Sequence, residues 1–89
     1  MKAVVTVVGQ DRTGIIAGVS GYLAEKNINI LDISQTIMQN IFTMIMLVDT
    51  VASDITAGQL SKDLKTLGES LGTEINVQHE GLFSAMHRI

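Results

Sequence analysis

The segment KAVVTVV, residues 2–8, carries apolar or β-branched side chains at both odd and even positions. A strand with one wet face alternates apolar and polar residues, whereas a strand that is apolar on both faces is covered on both. Gly9 ends the run. The segment therefore predicts a central strand, in a sheet that something covers on either side.

Two later segments have the periodicity of helices. From Gly14 to Lys26 apolar residues recur at helical spacing, with Asp11 and Thr13 as candidate N-caps and Asn27 as a stop. In the second segment Ser53-Asp54 offers a cap and Gly72 a C-terminal signal. Between these lies a stripe of leucines at helical spacing, which indicates a core-facing helix: Leu60, Leu64, Leu67 and Leu71.

Three further segments have the composition of strands. Residues 28–38 and 41–49 are rich in β-branched and apolar residues and flank Gln39-Asn40, so they predict an antiparallel hairpin. Residues 73–79 alternate apolar and polar, and residues 80–89 have the spacing of a short amphipathic helix.

The resulting order, strand-helix-strand-strand-helix-strand, is that of the split β-α-β folds. We expect an α+β class, ferredoxin-like βαββαβ sandwich, with a four-stranded antiparallel sheet, two helices on one face and a short C-terminal helix. Residues 1–89 are predicted to form one domain, with a core over 1–79 and a tail over 80–89. Helices cover one face only, so the second face is predicted to need a second subunit, the tail, or both. A homodimer is the expected assembly.

Composition excludes several classes of function. The chain has no cysteine, which removes disulfides, thiolate metal sites and cysteine nucleophiles. A net charge of −3 and only 3% aromatic residues disfavour nucleic-acid binding. No apolar run is long enough to cross a membrane, and Met1-Lys2 leads directly into the first strand, so a cytoplasmic protein without membrane contact is expected.

The stretch VGQDRTGII, residues 8–16, has two glycines spaced as in a phosphate loop. A Walker loop needs Lys and Ser or Thr after its second glycine, and Ile15 and Ile16 stand there instead. Acylphosphatase-like chemistry would use an arginine and an asparagine, for which Arg12 and Asn29 are candidates, but the glycine-rich signature around them is missing.

Metal or cofactor chemistry has little support in the sequence. His79 and His87 are not spaced as two ligands on one helix face. The carboxylates are scattered and are expected to be solvated, with Asp32 as the exception, since it is predicted to lie near the first loop. We therefore expect neither catalysis nor a bound metal or cofactor.

Residues 7–37 resemble the first half of an ACT domain, a small regulatory module that binds amino acids. The resemblance is carried by the first strand, the turn Asp11-Arg12-Thr13-Gly14-Ile15, Val19 and Leu23, and Asn29-Ile30 entering the second strand. It extends over residues 1–79, and the tail is similar to that of small stand-alone ACT proteins. The ACT modules of the glycine cleavage system repressor and of formyltetrahydrofolate deformylase are also similar. Many ACT loops have proline where this chain has Thr13.

The resemblance implies a non-catalytic regulatory module that binds an amino acid at the first strand-helix loop and a subunit interface. The ligand's carboxylate would meet the N–H groups near Gly14, and Asp11 or Asp32 its ammonium. Arg12 either holds the carboxylate or faces water. The full candidate set is Asp11, Arg12, Thr13, Gly14, Ile15, Asn29, Ile30, Leu31 and Asp32. In the alternative, Gly14 serves helix packing, Asn29 caps a turn, and the chain is a structural dimerisation or adaptor protein that has lost its ligand. The regulatory output is expected to come from an unidentified protein partner or from a change in oligomeric state.

Overall fold

The structure of the chain is a computed structural model, which describes residues 1–79. The predicted helix in residues 80–89 lies outside this range. The elements follow the predicted order: β1 (Lys2–Gln10), α1 (Ile15–Glu25), β2 (Asn29–Met38), β3 (Ile41–Asp49), α2 (Ala57–Leu71) and β4 (Thr73–His79). The ferredoxin-like βαββαβ class is confirmed. None of the helices over residues 1–79 is long and apolar enough to cross a membrane.

The four strands form one antiparallel sheet in the order β2-β3-β1-β4. β1 is central, as its two-sided apolar pattern predicts. Val5 lies opposite Met46 of β3 and Val77 of β4. Val5 and Met46 are buried with side chains of both helices in one core cluster, which includes Val19 of α1 and Leu64 of α2. Both helices therefore pack on this face, which we call the helix face; the other is the open face.

Both helices begin at N-cap residues other than the predicted ones. The N-cap of α1 is Gly14, at φ 98°, and no side chain bonds to the first turn, so the prediction that Asp11 or Thr13 caps it is wrong. The N-cap of α2 is Thr56, whose hydroxyl accepts a hydrogen bond from the Gln59 N–H at 3.1 Å. Ser53-Asp54, the predicted cap, lies in the preceding loop.

Two predicted chain reversals are confirmed. Gly72 ends α2 in the left-handed region at φ 70°. Gln39 and Asn40 both have positive φ, 49° and 69°, which is the geometry of a two-residue hairpin turn matched to strand twist.

A bulge in β2 changes which of its residues share a face. Ile30 lies opposite Val48, but the next paired residue is Asp32, so Leu31 is the extra residue. As a result Ile30 and Ile33 share the helix face despite their opposite parity. Ile33 is nevertheless 46% exposed, because β2 is an edge strand and has little contact with α1.

The open face is less apolar than the sequence suggests. Its apolar side chains form a band along β1 and β3 that reaches the end of β2, and we call this band the central stripe: Val4, Val8, Met38, Ile41, Ile45 and Leu47. Polar residues flank it on both edge strands, namely Asp32, Ser34 and Thr36 on β2 and Glu74, Asn76 and Gln78 on β4. The sheet therefore has one apolar face, toward the helices, and only a narrow apolar band on the open face, where the sequence predicts two fully apolar faces.

Candidate functional site

The loop between β1 and α1 borders a cleft of about 450 Å³. This volume lies within the range of small-molecule sites, about 300–1,000 Å³. The loop and the first turn of α1 form one wall, and β2 and β3 form the other: Asp11, Arg12, Thr13, Gly14, Ile15, Ile16, Ala17, Gln35, Ile37 and Phe42. The structure thus brings five of the nine predicted site residues together, those at positions 11–15.

The N-terminus of α1 opens into this cleft. The first helical hydrogen bond is donated by the Gly18 N–H to the Gly14 carbonyl at 2.8 Å, so the preceding N–H groups have no helical partner. No side chain caps them. These N–H groups and the positive end of the helix dipole favour a negatively charged group.

Gly14 is required by backbone conformation and not by packing. Its φ of 98° is one that residues with a side chain rarely adopt, and a Cβ placed there would have no atom within 4 Å. The interpretation that Gly14 serves close helix–sheet packing is therefore wrong. The space beside it belongs to the cleft.

The loop is fixed at both ends. The Asp11 N–H donates to the Asn40 carbonyl at 2.7 Å, which ties the loop to the β2–β3 turn. The Arg12 guanidinium donates through Nη1 to the Leu71 carbonyl at 3.3 Å, at the C-terminus of α2, where a cation is favourable. Arg12 thus has a protein partner, and its exposed side chain also lines the cleft. The carboxylate of Asp11 stays exposed at the cleft.

The other four predicted residues lie at the far end of the sheet within one chain. Asn29 is opposite Asp49, which is opposite Lys2, eight residues before Gln10. At about 3.3 Å per residue, this places Asn29 roughly 27 Å from the loop. The same register puts Asp32 about 20 Å away, six residues from the end of β1. The prediction that Asp32 lies near the first loop is therefore wrong for a single chain.

The end of β2 lies beside the loop instead, and it supplies site residues that the sequence reasoning missed. Gln35 and Ile37 line the cleft together with Phe42 of β3 and with Ile16 and Ala17 of α1. The directions of the paired strands could have predicted them. A strand pairing with β3 beside β1 must run parallel to β1, so its end, not its start, meets the loop after β1.

A second polar cluster lies away from the cleft, between the two helices. The Tyr22 hydroxyl donates to Asp63 at 2.6 Å, and the Gln59 amide donates to the other oxygen of that carboxylate at 2.6 Å. Burial and then the bond to Asp63 raise the pKa of Tyr22. The bonds from Tyr22 and Gln59 lower the pKa of Asp63. Because each of these three side chains has a hydrogen-bond partner within the cluster, we interpret the cluster as a link between α1 and α2.

Among residues 1–79, no group of three or more His, Asp or Glu side chains is close enough together to hold a metal ion. The side chain of His79 and the whole of His87 lie outside the described part of the chain.

Sequence comparison identifies the family. The ACT domain profile matches residues 2–78. A UPF0237 protein of Methanocaldococcus jannaschii is 58% identical over 88 residues, covering 99% of this chain and 98% of the relative.

Solved structures agree with this assignment. An ACT domain protein from Streptococcus pneumoniae superposes with a TM-score of 0.84 at 42% identity, over 98% of both chains. A protein assigned as a glycine cleavage system transcriptional repressor has a TM-score of 0.73 at 25% identity, over 89% of this chain and 47% of its own. A formyltetrahydrofolate deformylase from Pseudomonas syringae shares the fold, with a TM-score of 0.80 at 20% identity over 88% of this chain and 27% of its own. ACT domain proteins are regulatory, often amino-acid-binding modules that commonly oligomerise. The chain belongs to the ACT domain family and, within it, to the UPF0237 proteins.

Proposed function

We propose that this protein is a non-catalytic regulatory module that binds a free amino acid in the cleft between the β1–α1 loop and the end of β2. The observation that carries the proposal is the uncapped start of α1, whose free N–H groups border a cleft of ligand size.

The cleft walls fit the parts of an amino acid. The carboxylate would accept hydrogen bonds from the first N–H groups of α1, after Gly14. The exposed carboxylate of Asp11 would pair with the ammonium group. The opposite wall holds Phe42, buried, and Ile37, 53% exposed, so it favours an apolar ligand side chain. Gln35 would contribute an amide to the same wall.

A second copy of the chain would bring the remaining predicted residues to the cleft. β2 is an edge strand, and Ile33, Ile37 and Met38 are each at least 46% exposed on it. Such an edge favours pairing with another strand. If two β2 strands pair antiparallel about a two-fold axis with full overlap, Asn29 of one chain lies opposite Met38 of the other. Residues 29–32 of the partner would then lie beside the end of β2 that borders the cleft.

The proposal is tested by thermal shift and calorimetry against the twenty amino acids. A ligand that binds only the folded state raises the melting temperature. Ala17→Leu fills the cleft at the first turn of α1, and Ala24→Leu places the same side chain on an exposed position of α1 that does not line the cleft. We expect the shift to persist in Ala24→Leu and to vanish in Ala17→Leu.

Two outcomes would contradict ligand binding at this site. One is equal shifts in both leucine variants, which would place the ligand elsewhere. The other is no shift with any amino acid in a protein whose mass by light scattering is twice the chain mass of 9.6 kDa. That second result would favour the alternative, a dimerisation or adaptor protein without a ligand.

A further inference from the structure

We propose that the outer edge of β4, together with the groove between β4 and α2, binds an extended segment of another protein as an added strand. The segment has apolar side chains at alternate positions and a basic C-terminal end. The groove shares no residue with the cleft beside the β1–α1 loop, so the inference does not depend on the ligand proposed above.

The outer edge of β4 carries backbone groups that a further strand can bind. β4 lies at one end of the sheet, and within residues 1–79 it pairs only with β1. The ladder with β1 runs without a register shift from Thr73 to His79, so the edge is regular over about 23 Å. In an antiparallel ladder, alternate residues direct their N–H and C=O groups away from the neighbouring strand. These groups are a template for an added strand.

A groove of about 430 Å³ lies beside this edge, between β4 and α2. One wall is the helix-facing side of β4, where Ile75 is buried and Val77 is half-buried. The other wall is a row of exposed residues at one-turn spacing on α2: Ser61, Lys65 and Glu69. Residues four apart on a helix are about 6 Å apart along its axis, and residues two apart on a strand are about 6.6 Å apart. Alternate side chains of an added strand would therefore follow the spacing of this row.

The two sides of β4 define the pattern of the bound segment. On the helix side its side chains would contact Val77 and the aliphatic stem of Lys65, so β-branched apolar residues fit there. On the open face its side chains would lie beside the polar row of β4, which includes Glu74 and Asn76, so polar residues fit there. The segment is therefore expected to alternate apolar and polar residues.

Two carboxylates near the start of β4 give the bound segment its charge. Glu69 lines the groove near the end of α2, Glu74 lies on the open face of β4, and both are exposed. Neither forms an ion pair with any group of residues 1–79. A strand that runs antiparallel to β4 has its C-terminal end here, so basic residues at that end would pair with these carboxylates.

A second copy of the chain is a poorer occupant of this edge. Two β4 strands paired antiparallel would have a two-fold axis at the middle residue of the strand, Asn76. Lys65 is the middle residue of the row on α2, so the axis would bring the Lys65 side chains of the two copies together. Like charges facing each other across a strand pair are destabilising. A segment that carries no helix of its own avoids this repulsion.

Fluorescence anisotropy with a labelled synthetic peptide tests the docking surface on the whole protein. The probe has the order Val-Thr-Val-Thr-Val-Lys-Val-Lys, and the control peptide carries glutamate in place of both lysines. We expect the lysine peptide to bind at least about fivefold more tightly, because opposite charges across a strand pair attract and like charges repel. Equal affinities of the two peptides, or no binding of the lysine peptide, would overturn the inference.

Two matched pairs of variants locate the bound peptide, and all four positions are exposed. Glu74→Lys should weaken binding of the lysine peptide about fivefold, whereas Glu25→Lys, the same charge change outside the groove, should alter it by less than about twofold. Ser61→Phe fills the groove and should weaken binding at least about tenfold, whereas Ser70→Phe, on α2 but outside the groove, should not. Equal effects within either pair would refute binding in this groove.

Amide hydrogen exchange separates this edge of the sheet from the edge formed by β2. At saturating lysine peptide, we expect amides in residues 73–79 to exchange at least about tenfold more slowly and those in residues 29–38 to be unchanged. Protection of β2 alone would place the peptide on the other edge and contradict the proposal. Protection of residues 73–79 without peptide, in a protein with the mass of two chains by light scattering, would show that a second copy occupies the edge and would also contradict it.

Discussion

Two glycines in helix interiors are predicted to respond to alanine with opposite signs. Gly21 in α1 is exposed, and a Cβ there would have no atom within 4 Å. Gly68 in α2 is buried, and a Cβ there would lie 2.9 Å from the Thr73 carbonyl oxygen and 3.0 Å from Cγ1 of Ile75. Neither glycine has a positive φ, so alanine is compatible with both backbones.

The magnitudes follow from helix propensity and packing. Replacing a helical glycine with alanine gains about 0.5–1 kcal/mol where nothing else changes, so Gly21→Ala should stabilise the protein by this amount. Gly68→Ala has the same gain, but it forces α2 away from the start of β4, because the nearest atom is a backbone oxygen. Overpacking of this kind costs about 1–3 kcal/mol, so the net loss lies between zero and about 2.5 kcal/mol and is about 1 kcal/mol at the midpoints of the two ranges.

Thermal and urea unfolding followed by circular dichroism measure both effects. At about 4–8 °C per kcal/mol for a domain of this size, Gly21→Ala should melt roughly 4 °C higher and Gly68→Ala roughly 4–8 °C lower. Unchanged urea m-values would show that both variants unfold from the same compact state. Shifts of the same sign for the two variants would refute the close approach of α2 to β4.

Three further predictions concern single contacts. Thr56→Ala should cost about 1 kcal/mol in urea unfolding because it removes the cap of α2, whereas Asp54→Ala, at the position that the sequence favoured, should change stability by less than about 0.5 kcal/mol. Arg12→Gln should lower stability by about 0.3–1 kcal/mol through the lost cation at the end of α2, while calorimetry should show unchanged ligand affinity; a lost affinity would give Arg12 a binding role. For Tyr22→Phe, the free energy of unfolding measured as a function of pH tests the hydrogen bond to Asp63. The pKa of Asp63 is lowered in the fold, so its contribution is present above the ordinary value of 3.8 and is lost as pH falls through the folded pKa; the pKa of Tyr22 is raised, so its contribution is lost as pH rises above 10.0. Tyr22→Phe should therefore weaken the acid loss of stability and abolish this residue's alkaline loss, and a profile identical to wild type would contradict the bond.

Local patterns predict the elements of this chain because each is encoded within a few neighbouring residues. The leucines of α2 follow the helical period, and Gln39-Asn40 adopts the positive φ values that a two-residue hairpin requires. The central position of β1 follows from its two apolar faces. Cap residues are less predictable, because Asp11, Thr13, Asp54 and Thr56 all have suitable side chains, and the entry path of the chain decides which of them reaches an N–H group.

Sequence reasoning identified only half of the residues that line the candidate site. The turn at residues 11–15 could be identified because a glycine between a strand and a helix is recognisable from a few neighbouring residues. The residues across the cleft, Gln35 and Ile37, come from the end of β2, and only strand pairing places them there. The bulge at Leu31 likewise has no local signature, and it alone decides that Ile30 and Ile33 share a face.

The sequence by itself determined the order of strands and helices and the loop that starts α1, because periodicity and turn residues act over short distances. The ACT family followed from the resemblance of residues 7–37 to known members. Tertiary structure decided the rest. Pairing of β2 with β3 placed Asn29 and Asp32 far from the loop in one chain and brought Ile37 to it. The same pairing gathered the apolar residues of the open face into one stripe between polar edges. Which side chains meet across a sheet depends on register between distant segments, and register is fixed only when the whole sheet is assembled.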